Sequence, residues 1–489
     1  METSTIWKCQ GVMFYIVEHN IRYSLIPLKY CESKGKNDSF SEPHICGYTL
    51  ILMQELNLIT RYPALYWNTA CLSVNAGNFS DEMSKTTDYG AIAKAISNMD
   101  KGFVLPPYIN KAQLQFIPLA KEGKAMYSLG AINGIGEDVA KAIISNRPYY
   151  NFNNFLEKCV ATKLIAPSKV YSLIKAGCFD KLEKDRKKLM MEYVEYTTEE
   201  KTKLTVANIP KVLEFGLLPD EYHIFSTLYQ FKKLVFTKSN LIESINKSVG
   251  LYKIPANLLA YYNENYANIF VDAFDIGFNG EECLNNKLFD KIYKEYTLPL
   301  TEWLSTTDAV NRFNNYLKGI TWNKYCAGTI EQWEMESICF YTDKHEMDLL
   351  PLDRYPVVNF FDLPEEPEVV KTKKWRKGTI SEFKLDIIAG VVVEKNKNKS
   401  IITISTKEGV VDIKLDKGRF AHYDRSVDAD KSWFTKGTRL IVVGYRRGGV
   451  FYPKTYRESI YKHSIMQING YNNTDIFFKL DRDFSREEI

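Results

Sequence analysis

Nowhere do the 489 residues offer the ~18 uninterrupted apolar positions that a bilayer-spanning helix needs, so no helical membrane anchor is expected. The apolar patch from Val12 to Val17 is too short for a signal peptide and has no basic flank, and the reading is a cytoplasmic protein with no membrane partner. Nine cysteines are present (Cys9, Cys31, Cys46, Cys71, Cys159, Cys178, Cys283, Cys326 and Cys339). No two stand at C-x-x-C spacing, which argues against a zinc ribbon or a redox dithiol. The six histidines include no i, i+4 pair, which removes a zincin-type site. There is no G-x-x-x-x-G-K-[ST] loop and no G-x-S-x-G elbow. Two-metal nucleotidyl transfer needs clustered carboxylates on a rigid element. The D-x-D pairs available, Asp428-Ala429-Asp430 and Asp481-Arg482-Asp483, fall in a charged loop and close to the C-terminus. The chain is therefore expected to supply no catalytic residue, no metal site and no cofactor of its own.

What is present fits an ordinary folded protein. Hydrophobic residues make up 45% and charged residues 25%, a balance that is neither disordered nor fibrous. At ~100 to 200 residues per domain, two to four domains are expected. The net charge of +4 conceals an uneven distribution. Lys371 to Arg457 carries 21 Lys/Arg against 9 Asp/Glu, residues 1–370 carry 39 against 45, and the last 32 residues 4 against 6. A basic segment on an acidic body points to a polyanion as partner of that segment.

Hydrophobic periodicity predicts helices across residues 48–100, interrupted at Pro63 and at Asn75 to Asp81. QLQFIPLA, the Glu122-Gly123 turn and KAMYSL predict a short β-hairpin, and small helices follow to about residue 198. Residues 199–350 read as helical in tendency and carry no motif. Beyond the Pro- and charge-rich LPEEPEVVKTKK the period becomes two: IIAGVVVEK, SIITIST, GVVDIKL and RLIVVGY are separated by turn signals. Four or five such strands suit a small closed barrel of OB type, with a β-sandwich as the alternative. The fold class is multidomain α+β, mainly helical in its N-terminal two-thirds and all-β in the C-terminal barrel.

Two elements carry chemistry. In LGAINGIGEDVAKAIISNRP, a short helix is expected to run into Gly134-Ile135-Gly136, followed by a second helix that stops before Pro148. The glycines leave backbone N–H groups unobstructed beside the positive end of that helix, an arrangement suited to a nucleic-acid phosphate. In this helix-hairpin-helix pattern Ile135 is the buried pin, and Lys141 and Arg147 add charge; a ligand-free αα-hairpin is the alternative. The second element is the basic barrel. Lys395, Lys397 and Lys399 occupy one turn, Arg446 and Arg447 another, and Lys373, Lys374, Arg376 and Lys377 lie before the first strand. Trp375, Phe383, Phe420, Tyr423, Trp433 and Tyr445 are interleaved with them, as single-strand binding by charge and base stacking requires.

These residues bring a family into view. HICGYTLILMQELNLITRYPALYWNTACLS, from His44, resembles the fingers segment H-x-x-A-Y…Y-L-K-x-x-Y-P-x-x-F-x-x-A-x-L-S of bacterial family C replicative polymerases, the alpha subunit of DNA polymerase III. His44, Tyr48, Gln54, Tyr62, Pro63 and Ser73 fall in register, while Asn57 and Ile59 replace the family's tyrosine and lysine. KGFVLPPYINKAQLQF is similar to G-x-x-V-L-P-P-D-x-N-x-S-x-x-x-F. WEMESICFYTDKH, from Trp333, resembles the W-x-x-E-x-E-x-L-G-x-Y-x-x-H-P element that precedes the family's OB domain, with Asp343, Lys344 and Glu346 departing from it.

The resemblance implies a division of the chain: remaining fingers in 1–120, helix-hairpin-helix region in 121–198, a helical region without a match in 199–350, linker in 351–374, OB-fold in 375–457 and a tail in 458–489. It implies the C-terminal piece of a split or truncated nucleotidyltransferase of bacterial or bacteriophage origin, Met1 falling inside the fingers. DNA would be bound as primer–template duplex and as single strand, while a partner chain holds the palm carboxylates and Mg²⁺. A sliding clamp is a further implied partner, the nearest clamp-type peptide being QFKKLVF from Gln230 to Phe236. The competing reading is a non-catalytic DNA-binding protein of replication or repair.

Overall fold

Pro63 and Gly77 set the helix boundaries at the N-terminal end of the computed structural model. The structure describes residues 42–77, 87–222, 282–375, 378–426 and 431–480, with short stretches at 5–9, 12–16, 225, 228–229, 231–233, 242–246, 251–253, 256–266, 268 and 274–276. The chain falls into two compact units, residues 1–71 and 72–489. The first holds an antiparallel strand pair, β1 (Thr5–Cys9) with β2 (Val12–Ile16), so residues 1–120 are not wholly helical as expected. It also holds α1 (Glu42–Arg61) and the start of α2 (Ala64–Ala76), separated by the proline that lacks a donor to continue the ladder.

The second unit begins with α3 (Tyr89–Ser97), whose N-cap Asp88 accepts from the Ala91 amide. The predicted hairpin forms: β4 (Ile117–Leu119) pairs antiparallel with β5 (Lys124–Met126), and β3 (Val104–Leu105) joins β5 in parallel. Gly123 at φ +63° supplies the left-handed residue its turn requires. Helices α4 (Glu137–Ser145), α5 (Pro167–Lys175) and α6 (Arg186–Thr197) share one core with the hairpin, built around Tyr127, Ile135, Ile143, Phe155 and Trp333.

The described part of residues 199–350 is mainly helical, as expected, but it also holds strands that the sequence reading did not anticipate. Besides α7 (Thr307–Tyr325) and α8 (Ile330–Ser337), it contains a four-stranded antiparallel sheet in the order β6-β7-β9-β8, from β6 (Ile242–Asn246), β7 (Leu251–Lys253), β8 (Phe274–Ile276) and β9 (Glu282–Asn285). Its strands span three to five residues, too few for period-two alternation to register.

The C-terminal part is a closed five-stranded barrel. β12 (Asp386–Asn396), β13 (Ile401–Ser405) and β14 (Val410–Lys414) form a meander, and α9 (Lys417–Asp424) leads to β15 (Arg439–Arg447) and β16 (Val450–Pro453). The β14–β16 pairing is parallel and β15 returns to β12, which closes the barrel in OB-type order. Ile388, Val392, Ile402, Ile404, Val442 and Phe451 fill its interior. Between them, Ile387, Ala389, Val391 and Val393 are buried on the opposite face of β12, among Ala93, Met335, Cys339 and Met347. A strand buried on both faces explains why IIAGVVVEK reads as a continuous apolar run instead of alternating.

Two boundaries differ from the sequence reading. Residues 351–374 are not a detached linker: Phe360 enters the barrel core, and β10 (Val369–Trp375) pairs with β11 (Gly378–Phe383). Nor is 458–489 only a tail, because β17 (Ile465–Tyr471) continues along the β15 edge beyond β16 and pairs with β18 (Ile476–Lys479).

A buried ionic group ties the hairpin region to the segment leading into the barrel. The Arg186 guanidinium (7% exposed) donates to Glu334 (4% exposed) at 2.8 Å and to Asp180 at 2.8 Å. Glu334 also accepts from the Thr342 amide at 3.0 Å and from its hydroxyl. Burial acts to lower the Arg186 pKa, and the two carboxylates more than offset it, holding the group charged.

Candidate nucleic-acid interface

Residues 129–134 are successive turns and not the expected first helix of the hairpin motif. Ser128 Oγ accepts from the Ala131 amide, and the Ile132 and Ile135 amides bond three residues back, to Leu129 and Ile132. These bonds use the local donors in a tighter geometry than an α-helix. Gly134 lies at φ +84°, a conformation that L side chains rarely adopt. Gly136 is the N-cap of α4 at φ −81°, ψ 169°, with open space where a Cβ would stand. Both glycines are exposed, and Ile135 between them is buried. The loop is anchored from behind: the Asn133 amide donates to Ser337 at 2.8 Å, and its Nδ2 donates to Glu336 at 3.1 Å.

The charged residues assigned to this motif part company. Lys141 is exposed and pairs with Glu137 at 2.7 Å one turn back, which draws one of the two first-turn carboxylates away from the helix start. Arg147 is half-buried and turned towards the backbone. Its Nε donates to the Ile109 carbonyl at 2.7 Å and its Nη2 to that of Ala112, so it braces the loop before the hairpin.

The barrel's cations also divide. Lys395 and Lys397 both pair with Asp424, which burial would push up but which their hydrogen bonds and that of Ser432 hold below its ordinary pKa. Lys399 is exposed. Arg446 points inward and is structural, donating to the Phe360, Phe361 and Leu363 carbonyls and pairing with Glu365 at 3.3 Å. Its neighbour Arg447 points outward, 5.3 Å from the Phe383 ring and 5.9 Å from that of Tyr445. Phe420, Tyr423 and Trp433, offered as stacking platforms by the sequence, are core residues instead. The sequence reading missed Tyr452, which lies opposite Tyr445 in the β15–β16 register, and the neighbouring Lys454 and Tyr456. The alternation of β15 was the signal available.

Arg376, Lys377, the side chains of Trp375 and His44, and both D-x-D pairs lie outside the described residues, as does most of the clamp-type peptide, including Gln230, Leu234 and Phe236. Tyr48 is exposed on α1. Among the described residues no group of three or more His, Cys, Asp or Glu is placed to hold a metal ion.

His345 joins the helical body to the barrel. Its Nδ1 accepts from the Met347 amide at 3.0 Å and its Nε2 lies 3.1 Å from Ser405 Oγ on β13. Burial, against the pull of Asp348, takes its pKa down to about 4. The unfolded chain therefore binds a proton near pH 6.5 that the folded chain refuses until about pH 4. Stability is expected to fall through that window by about 3 kcal/mol from this residue, about 2 kcal/mol of it by pH 5. Melting curves at pH 7.5 and pH 5 should show a smaller difference for His345→Gln than for wild type; an equal difference rules the histidine out as the cause.

Comparison with known proteins bears on this arrangement. A helix-hairpin-helix motif family matches residues 103–189. The chain is 34% identical over 455 residues, 89% of its length, to a probable DNA polymerase of Bacillus subtilis strain 168 and equally to the DNA-directed DNA polymerase of Bacillus phage SPbeta. Over 157 residues it is 34% identical to the DNA polymerase III subunit alpha of Campylobacter jejuni, which accounts for 31% of this chain and 12% of that one. The chain spans about a third of the length of the first two relatives. With the matched hairpin motif in order before an OB-type barrel, the chain is similar to the C-terminal region of the family C DNA polymerases.

Proposed function

We propose that the chain is the DNA-holding C-terminal portion of a replicative polymerase, gripping primer–template duplex at the glycine loop and single-stranded template on the barrel. The observation that carries this reading is the solvent-facing Gly134-Ile135-Gly136 loop at the start of α4, anchored through Asn133 to α8 and so to the barrel. A helix start leaves its first amides without carbonyl partners in the helix, and phosphate contacts made there carry no base information.

Chemistry in this reading comes from a palm-bearing polypeptide with its Mg²⁺. In favour of such a partner, nothing described in the N-terminal unit covers Leu50, Ile51, Met53 and Leu58 of α1, each at least half exposed. An apolar strip of that kind marks a protein interface.

Gly136→Val tests the loop, because its backbone angles suit a side chain and no atom stands within 4 Å of the new Cβ. The variant is expected to melt as wild type does and to bind duplex about tenfold or more weakly, equally for all sequences. Lys141→Ala is expected to cost less and to lower the salt slope by about one unit. Wild-type duplex affinity in a folded Gly136→Val protein would leave this loop without a ligand.

A further inference from the structure

OB-type barrels commonly bind oligonucleotides across the strand 2–3 face and the loops beside it. In this chain that face is taken. The Glu394 carboxylate accepts from the Gly90 amide at 2.6 Å, and Lys94 pairs with Asp412 at 2.5 Å. Asp412 also accepts from Thr403 of β13 at 2.7 Å, so α3 lies over β12, β13 and β14. A cavity of about 220 Å³ lies between the helix and the strands. The rest of the β12 outer face is buried against α8 and the segment after it.

Among the described residues, the outward end of β15 and β16 with the hairpin β10–β11 stays partly exposed. Tyr445 and Tyr452 face each other across the two strands, ring centroids 5.7 Å apart and 14° from parallel. The Phe383 ring stands 4.7 Å from Tyr445, and its backbone amide is fixed by Tyr456 Oη at 2.9 Å. None of these rings belongs to the barrel core. Arg447 lies over the Phe383 and Tyr445 rings, and no carboxylate lies within 4 Å of it among the described residues. Beside them stands Lys454, whose pKa burial and the Arg419 charge lower against the pull of Asp416. The strand period produces this division: in Tyr445-Arg446-Arg447 the middle residue turns inward to the Phe360 carbonyl and the outer two turn out.

We propose that Phe383, Tyr445 and Tyr452, with Arg447, form the surface on which the barrel holds single-stranded DNA. Bases stack on the rings, and the guanidinium meets a phosphate between them. The occupant is nucleic acid and not a peptide because a row of aromatic faces beside the Arg447 guanidinium binds every base alike, and the whole segment is basic. This assignment rests on the reading of the barrel as the single-strand holder.

Binding of a fluorescently labelled oligothymidylate to the full chain, followed by anisotropy across a salt series, tests it. Tyr445→Ala with Tyr452→Ala is expected to weaken binding about tenfold or more. The corresponding double phenylalanine variant, which keeps the rings, should bind as wild type does. Arg447→Ala should flatten the salt slope by about 0.7. Single-strand binding that survives the double alanine change in a protein with a wild-type melt, and is lost on replacing Lys397 and Lys399, overturns the platform while the barrel remains the single-strand holder. No single-strand binding by the wild-type chain, with duplex binding intact, overturns both.

Discussion

Purified alone and supplied with Mg²⁺, dNTPs and a primed template, the chain is expected to extend no primer, and synthesis is expected to appear when a polypeptide bearing the family's palm is added. Nucleotidyl transfer by two metal ions needs carboxylates clustered on a rigid element. The D-x-D pairs at Asp428 and Asp430 and at Asp481 and Asp483 sit in segments unsuited to that task by sequence. Primer-extension gels decide the matter. Synthesis by the chain alone, abolished on replacing either pair, would sink the split-enzyme reading. Silence of the mixture despite association of the two chains would favour a DNA-binding protein that has no part in catalysis.

Glu334→Ala is expected to give the largest loss of stability, about 3 kcal/mol or more. Arg186 would remain buried with Asp180 as its one ionic partner, and the Thr342 amide and hydroxyl would lose their acceptor. Replacing Arg186 and Glu334 together by Met and Leu is expected to restore part of the loss, because no uncompensated charge is then left in the core. Urea denaturation of both variants measures it; a double variant as unstable as the sum of its single changes would mean that the pair does not interact.

Much of the fold was legible because periodicity and turn chemistry agree locally. The Glu122-Gly123 hairpin, the strands of the barrel and the break at Pro63 all follow from residues within a few positions of each element. The failures came from tertiary contacts. LPEEPEVVKTKK has a linker's composition, yet Phe360 just before it is needed to close the barrel core. Arg147 and Arg446 looked like surface cations, and only the fold brings carbonyls to them from residues 109 and 112 and from 360 to 363. For Lys395 and Lys397 the missing knowledge was that α9 returns Asp424 to them across the barrel mouth. The candidate regions were legible in the sequence, and which of their cations and rings the fold turns inward was not.

The seam between β12 and the helical body has a consequence for how the two binding regions act together. Because Val391 and Val393 are locked against Met335 and Met347, and Asn133 against Ser337, neither region can swing on a tether. Under the proposed function, a junction substrate held at the glycine loop would present its single strand to the barrel at a fixed effective concentration, as one ring of a chelate presents the next donor. Rigidity makes that gain depend on overhang length: a strand that reaches the barrel gains the whole of it, and a shorter one gains nothing.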